Sequence, residues 1–188
     1  MLGSAEPVAT PAISLGRVTI HSDHPFADPE SGRDPVRRFR GRLGGAVSLW
    51  TAGTGRDRVG LTVSSMTVAA GEPARLLALV DPDSDLAAAL PAGGRGVVHL
   101  LQWMDRDLAE MFAGTAPAPG GMFAHARFVD TDWGPRLAAA PTWAGVVVED
   151  VREVGWSALV TAVVETVTVG GDDEPLVHRR GRFVAPPD

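Results

Sequence analysis

Gly60-Leu61-Thr62-Val63-Ser64-Ser65-Met66-Thr67 is the stretch whose reading decides the fold. Successive side chains of an extended strand alternate between faces, so Val59, Leu61 and Val63 fall on one face and Gly60, Thr62 and Ser64 on the other. The first face is apolar and belongs in a core. The second is narrow, carries hydroxyls and leaves backbone donors exposed, which suits a flat ligand bearing a phosphate. An edge strand whose Thr and Ser side chains meet water shows the same alternation, and the pattern alone does not separate the two.

Working outward, Ala46 to Thr51 and Arg58 to Thr67 read as two strands joined by Ala52-Gly53-Thr54-Gly55-Arg56-Asp57, a hairpin loop by composition. Its glycines do not form a dinucleotide fingerprint, because GxGxxG is not satisfied and no helix follows the turn. Before them, Asp34-Pro35 opens a helix expected to run to about Leu43 and to end at Gly44-Gly45. Val36, Phe39 and Leu43 recur at helical spacing, with Arg37, Arg38, Arg40 and Arg42 filling the remainder. The arginines read as a solvated face, a phosphate or dinucleotide contact from one of them being the second reading. Residues 1–35 are rich in Pro, Gly, Ser and Asp, with one short strand at Ile13 to Ile20, and are expected to form an N-terminal arm. Within it His21-Ser22-Asp23-His24 reads as a polar turn and not a metal cluster, since no further ligands follow at a recognisable spacing.

On the other side, Arg75 to Asp81 is apolar on both faces, as for a strand covered twice. Pro82-Asp83-Ser84-Asp85 caps a short Ala/Leu helix limited by Pro91. A strand at Gly96 to Leu101 leads into a helix with Met104, Leu108, Met111 and Phe112 as a core-facing stripe, stopped at Gly114. Thr115 to Gly121 is a Pro/Gly loop of the kind that can cover a site. From Trp143 onward the chain is β: strands near Trp143 to Glu149, Trp156 to Val169 and Pro175 to Val184. The middle one is apolar on both faces, with Ala158, Val160, Ala162 and Val164 on one and Leu159, Val163, Val167 and Val169 on the other. Coverage on both sides implies a filled barrel within and a helix or second subunit outside, hence an expected homodimer.

Composition bounds the function. A chain of 188 residues with 45% apolar and 21% charged residues is an ordinary folded domain, placed here at 36–188. A net charge of −6, from 17 cationic against 23 acidic side chains, disfavours nucleic acid and anionic membranes as general partners. All the fixed side-chain cations are Arg, which favours forked contacts to carboxylate or phosphate. The absence of Cys removes disulfides, thiolate metal sites and thiol nucleophiles. No apolar run approaches a membrane span and no secretory signal is visible, so a cytoplasmic location is expected.

The run Val59 to Val68, followed by Gly71-Glu72-Pro73-Ala74-Arg75-Leu76-Leu77-Ala78-Leu79-Val80-Asp81, resembles the FMN-binding split-barrel flavin reductases. In that family a GxTxSS strand leads through a short Pro-containing turn into an apolar strand, and the likeness extends over roughly Asp34 to Val184. The resemblance implies a mainly β fold, a split β-barrel with a few short helices. It implies FMN, with FAD the alternative, and NADH or NADPH as cosubstrate, reduced flavin being supplied to a flavin-dependent monooxygenase. It places Thr62, Val63, Ser64 and Ser65 along the flavin, and brings Asp81, Asp83 and Ser84 to the same ligand. Phe112, His178 and Arg180 match further family positions near it. No catalytic side chain and no metal ligand is implied.

The chain departs from the family pattern at three places. Val98-His99-Leu100-Leu101 stands where the family often has VNVL, so His99 replaces a neutral amide, and Glu72-Pro73 replaces a double Pro. Gly155-Trp156 stands where many members carry an Asp-His pair associated with the nicotinamide. A non-catalytic flavin-binding protein of the same fold is therefore the alternative to a reductase, and a cofactor-free dimeric barrel the third reading.

Overall fold

The structure is a computed structural model that describes residues 35–171 and 174–185. The expected arm, its strand at Ile13 to Ile20, the His21 to His24 turn and the Asp34 cap all lie outside the described residues.

In chain order the elements are α1 (Pro35–Leu43), β1 (Gly45–Ala46), β2 (Ser48–Ala52), β3 (Val59–Val63), β4 (Met66–Ala69), β5 (Arg75–Val80), α2 (Asp85–Ala89), β6 (Arg95–Leu100) and α3 (Arg106–Phe112). There follow β7 (Phe128–Thr131), β8 (Gly134–Leu137), β9 (Trp143–Val154), β10 (Ser157–Thr168), β11 (Val177–Arg179) and β12 (Arg182–Val184). Seven strands form one antiparallel sheet in the order β3-β2-β6-β9-β10-β5-β4. Its two outermost strands, β3 and β4, are consecutive in the chain and joined only by Ser64-Ser65. One short connection therefore links opposite ends of the sheet, which curls into a half-barrel. The single strand expected over Arg58 to Thr67 is thus two strands meeting at a corner, because one straight segment cannot pair with both β2 and β5. Two hydrogen bonds pin the corner: Ser48 Oγ donates to the Val63 carbonyl at 2.7 Å and the Leu79 N–H to the Ser65 carbonyl at 2.9 Å.

The inward face packs Trp50, Val63, Leu76, Ala78, Val80, Val146 and Val160 around Leu86 of α2 and Leu90 just after it, which fill the interior. Alternation along β2 sends Val47 and Leu49 the other way, into a second cluster with Leu108, Ala109, Phe112, Leu137 and Leu176. The β7–β8 hairpin, unassigned by the sequence reading, closes this second cluster. It is held by His99, which is fully buried. His99 Nδ1 lies 2.8 Å from the Leu49 carbonyl and must donate, while Nε2, 2.9 Å from the Leu137 N–H, must accept. That assignment fixes one neutral tautomer. Burial is the largest influence on the ring and outweighs the Leu49 carbonyl; with the nearby Arg136 charge it lowers the pKa to about 4.

Two further expectations are corrected. The β9–β10 connection is only Gly155-Trp156, since β9, expected to end near Glu149, continues as far as Val154. Pro175 to Val184 is not one strand but the β11–β12 hairpin turning at Arg180-Gly181, both at positive φ (54° and 77°). Its first strand pairs with β1. The double coverage expected for β10 is half met within one chain. Ala158, Val160 and Ala162 are buried, whereas Leu159, Thr161 and Val163 on the opposite face are only half-buried; the bulge between Val164 and Thr166 then turns Val167, 61% exposed, to the side of Ala144. No helix among the described residues is long and apolar enough to cross a membrane.

Candidate functional site at the corner of the sheet

Three segments converge where the sheet turns. Ser64 and Ser65 are half-buried, and among the described residues neither hydroxyl makes a hydrogen bond to the protein. Gly45 lies against them so closely that a Cβ there would sit 2.9 Å from the Ser64 carbonyl oxygen, so only glycine lets β1 pass. Opposite Gly45 in the β1–β11 register stands His178. The Leu79 N–H bond to Ser65 carries the end of β5, and with it Asp81, to the same corner. Ser64, Ser65, Asp81 and His178 are therefore brought together. His178 is half-buried and edge-on to Phe183 with ring centroids 6.0 Å apart. Burial first and the Arg40 charge second hold its imidazole below the usual histidine range, favouring the neutral ring.

Within the Asp81 to Ser84 turn, side chains engage the turn's own backbone. Ser84 Oγ donates to the Asp81 carbonyl at 2.6 Å and accepts from the Ala87 N–H at 3.2 Å, capping α2. The Asp83 N–H donates to Asp81 Oδ1 at 3.0 Å. The Ser84 proton is thus committed, and the carboxylates of Asp81, Asp83 and Asp85 crowd a helix of only five residues. Like charges of this kind oppose a phosphate beside Ser84 and Asp83, the positions the resemblance brought to the ligand.

The other end of the hydroxyl face is closed by α3. Thr62 Oγ1 donates to the Ala109 carbonyl at 2.8 Å. Gly60 lies beneath Phe112, whose ring carbon would be 2.6 Å from a Cβ there. Phe112 is 2% exposed and meets Phe123 and Phe128 edge-on at 5.1 Å and 6.1 Å. The Val63 side chain is buried inside the barrel. Thr62, Val63 and Phe112, expected along the ligand, therefore carry structural side chains here. The reason is that α3 docks on the Gly60–Thr62 face and leaves the ribbon open only from Ser64 onward. Arg180 occupies the β11–β12 turn, its N–H donating to the Gly41 carbonyl at 2.8 Å. Trp156 stands 80% exposed at the hairpin tip.

Gly45 was missed as a site residue because Gly44-Gly45 read only as a helix stop. One glycine suffices for that, and the second is the legible sign of a close approach. The corner offers free hydroxyls, a narrow wall and a neutral imidazole. No group of three or more His, Asp or Glu that could hold a metal occurs among the described residues. The arrangement can bind and orient a ligand.

Residues 40–186 match the family described as the flavin reductase like domain. An FMN reductase (NADH), RutF, from Ancylobacter novellus is 29% identical over 163 residues, covering 84% of this chain and 87% of that protein. The crystallised NADH:FAD oxidoreductase of Streptomyces globisporus superposes with a TM-score of 0.72 at 24% identity, over 86% of this chain and 99% of that one. The styrene monooxygenase flavin reductase of Pseudomonas putida gives 0.70 at 22%, over 81% and 97%.

Proposed function

The chain belongs to the flavin reductase like domain family, and from that premise we propose that it binds FMN at the Ser64-Ser65 corner and reduces it with a nicotinamide. The observation that carries this reading is the pair of unengaged serine hydroxyls on a wall that Gly45 keeps narrow. These residues fit the group: two unengaged hydroxyls can donate to a ring edge rich in acceptors. When bound, flavin and nicotinamide supply the reacting atoms themselves, a hydride passing between stacked rings. The residues of this chain do the rest. Ser64 and Ser65 fix the ring edge, His178 presents a neutral imidazole, and the buried wall behind Val63 keeps water from one side. FMN and NADH are the pair printed in the name of the Ancylobacter relative, while the Streptomyces neighbour is named for FAD. Release of reduced flavin to a separate oxygenase draws support from the neighbour described as the flavin reductase of a styrene monooxygenase.

A flavin-binding protein without turnover is the second reading, favoured by Gly155-Trp156 in place of the Asp-His pair and by the exposure of that tip. A titration with FMN and FAD, followed by NADH and NADPH consumption with free flavin, decides between them. Binding without consumption selects the second reading, and no binding removes both. We further propose a homodimer. Leu159 faces Leu79 across β5–β10 on the outer face, where Leu79 is 39% exposed, an apolar surface that a second copy would cover. A domain over 36–188 and a cytoplasmic setting complete the proposal, the latter from the Cys-free composition.

A further inference from the structure

The chain carries an excess of carboxylates, 23 against 17 cationic side chains, yet its arginines are not spread evenly. Four lie on α1 and three on the β11–β12 hairpin, and neither segment contains an acidic residue. The two segments touch: Arg180 N–H donates to the Gly41 carbonyl, and a Cβ on Gly44 would lie 3.6 Å from Arg179 Cγ. Within this edge like charges are set against each other twice. Arg179 and Arg182 are direct cross-strand partners, and Arg38 and Arg42 stand at i, i+4 on the helix. Both arrangements are unfavourable in isolation. Among the described residues no ion pair joins Arg38, Arg42, Arg179 or Arg182 to a carboxylate. The edge adjoins the corner of the sheet, since Gly45 follows Gly44 and faces His178, the neighbour of Arg179. The acidic Asp81 to Asp85 turn, in which the Ser84 hydroxyl is engaged by the turn's own backbone, follows the end of β5 at that corner.

We infer that the arginine edge formed by α1 and the β11–β12 hairpin receives the phosphate or diphosphate of the ligand bound at the corner, in place of the α2 turn. A doubly charged anion turns both repulsive pairs into forked, charge-assisted contacts, which arginine makes better than any other side chain. It also gives an acidic protein one region that draws anionic ligands toward their site. The phosphate can belong to the flavin or to the nicotinamide dinucleotide, and the test separates them. The inference rests on the flavin reading of the corner, and one arm of the test is independent of it.

The variants are Arg179→Ala with Arg182→Ala and, separately, Arg38→Ala with Arg42→Ala, each first shown by thermal melting to keep the fold. Binding of FMN, riboflavin, oxidised nicotinamide dinucleotide and inorganic pyrophosphate is measured at low and high salt. The expected result is an affinity about tenfold or more weaker for FMN or for the dinucleotide in the hairpin variant, with riboflavin, which lacks the phosphate, unchanged. Which of the two weakens identifies the phosphate that sits there. The inference is overturned if FMN, dinucleotide and pyrophosphate all bind the variants as they bind the parent, or if riboflavin weakens in parallel. If the parent binds no flavin at all, the flavin reading fails alone. The dinucleotide and pyrophosphate arms then decide: weaker binding in the variants upholds the arginine edge, and equal or absent binding refutes it.

Discussion

Replacing His99 with Asn should flatten the acid side of this protein's stability curve. His99 is locked as a neutral ring between the Leu49 carbonyl and the Leu137 N–H. Protonation would put a second N–H against the Leu137 N–H and a buried charge near Arg136. Folding lowers the pKa from 6.5 to about 4. A histidine depressed in this way contributes its full stability above the unfolded value and loses it as pH falls toward the folded one. The window therefore runs from about pH 6.5 down to about pH 4. The drop is on the order of 3 kcal/mol in total, roughly 1.4 kcal/mol per pH unit. Urea unfolding at intervals between pH 7 and pH 4 would show it as a falling midpoint in the parent. The Asn variant starts lower at pH 7 by on the order of 1–3 kcal/mol, the worth of an imperfectly replaced buried contact. Its curve should approach the parent's as the pH drops. Two curves that stay parallel through the whole range would refute the idea that this ring must remain neutral.

Ser64→Ala combined with Ser65→Ala should leave the melting temperature nearly unchanged and weaken FMN by on the order of 1–3 kcal/mol, read by fluorescence titration; an unchanged affinity would dismiss the corner as the site. Thr62→Val should do the reverse, keeping FMN affinity while lowering stability by about 1 kcal/mol in urea, because its hydroxyl anchors the Ala109 carbonyl of α3. Val160→Asp buries an unpaired charge in the barrel and should prevent folding, as circular dichroism would report. Leu79→Asp on the outer face should keep the fold and halve the mass seen by light scattering; a dimer that survives it would show that another surface joins the copies.

The periodicity of the chain carried the fold a long way. Alternation through Val59 to Val63 placed the core face of β3 correctly, and the Ser84 cap and Pro91 bounded α2. What alternation could not show was the break at Ser64-Ser65, because a strand that changes partner at a corner keeps its period on both sides of it. Nor could local sequence reveal that α3 covers Gly60 and Thr62, a contact between residues 47 positions apart for Thr62 and Ala109. Small polar residues facing a helix and small polar residues facing a ligand are chemically the same string. The C-terminal hairpin was missed for a similar reason. Its turn uses Arg180 at positive φ, a conformation that signals itself in sequence when glycine or asparagine holds it, and here only Gly181 gave the hint.

The seam at Ser64-Ser65 has a consequence for how the molecule breathes. A sheet whose first and last strands are successive in the chain opens most cheaply by unzipping there, where two residues bridge what many hydrogen bonds secure elsewhere. Any guest lodged in the seam acts as a rivet between the two rims. At a hundredfold excess over its dissociation constant it would add about 2.7 kcal/mol against unfolding. Loading with ligand and the shutting of the barrel would then be a single event observed in two ways.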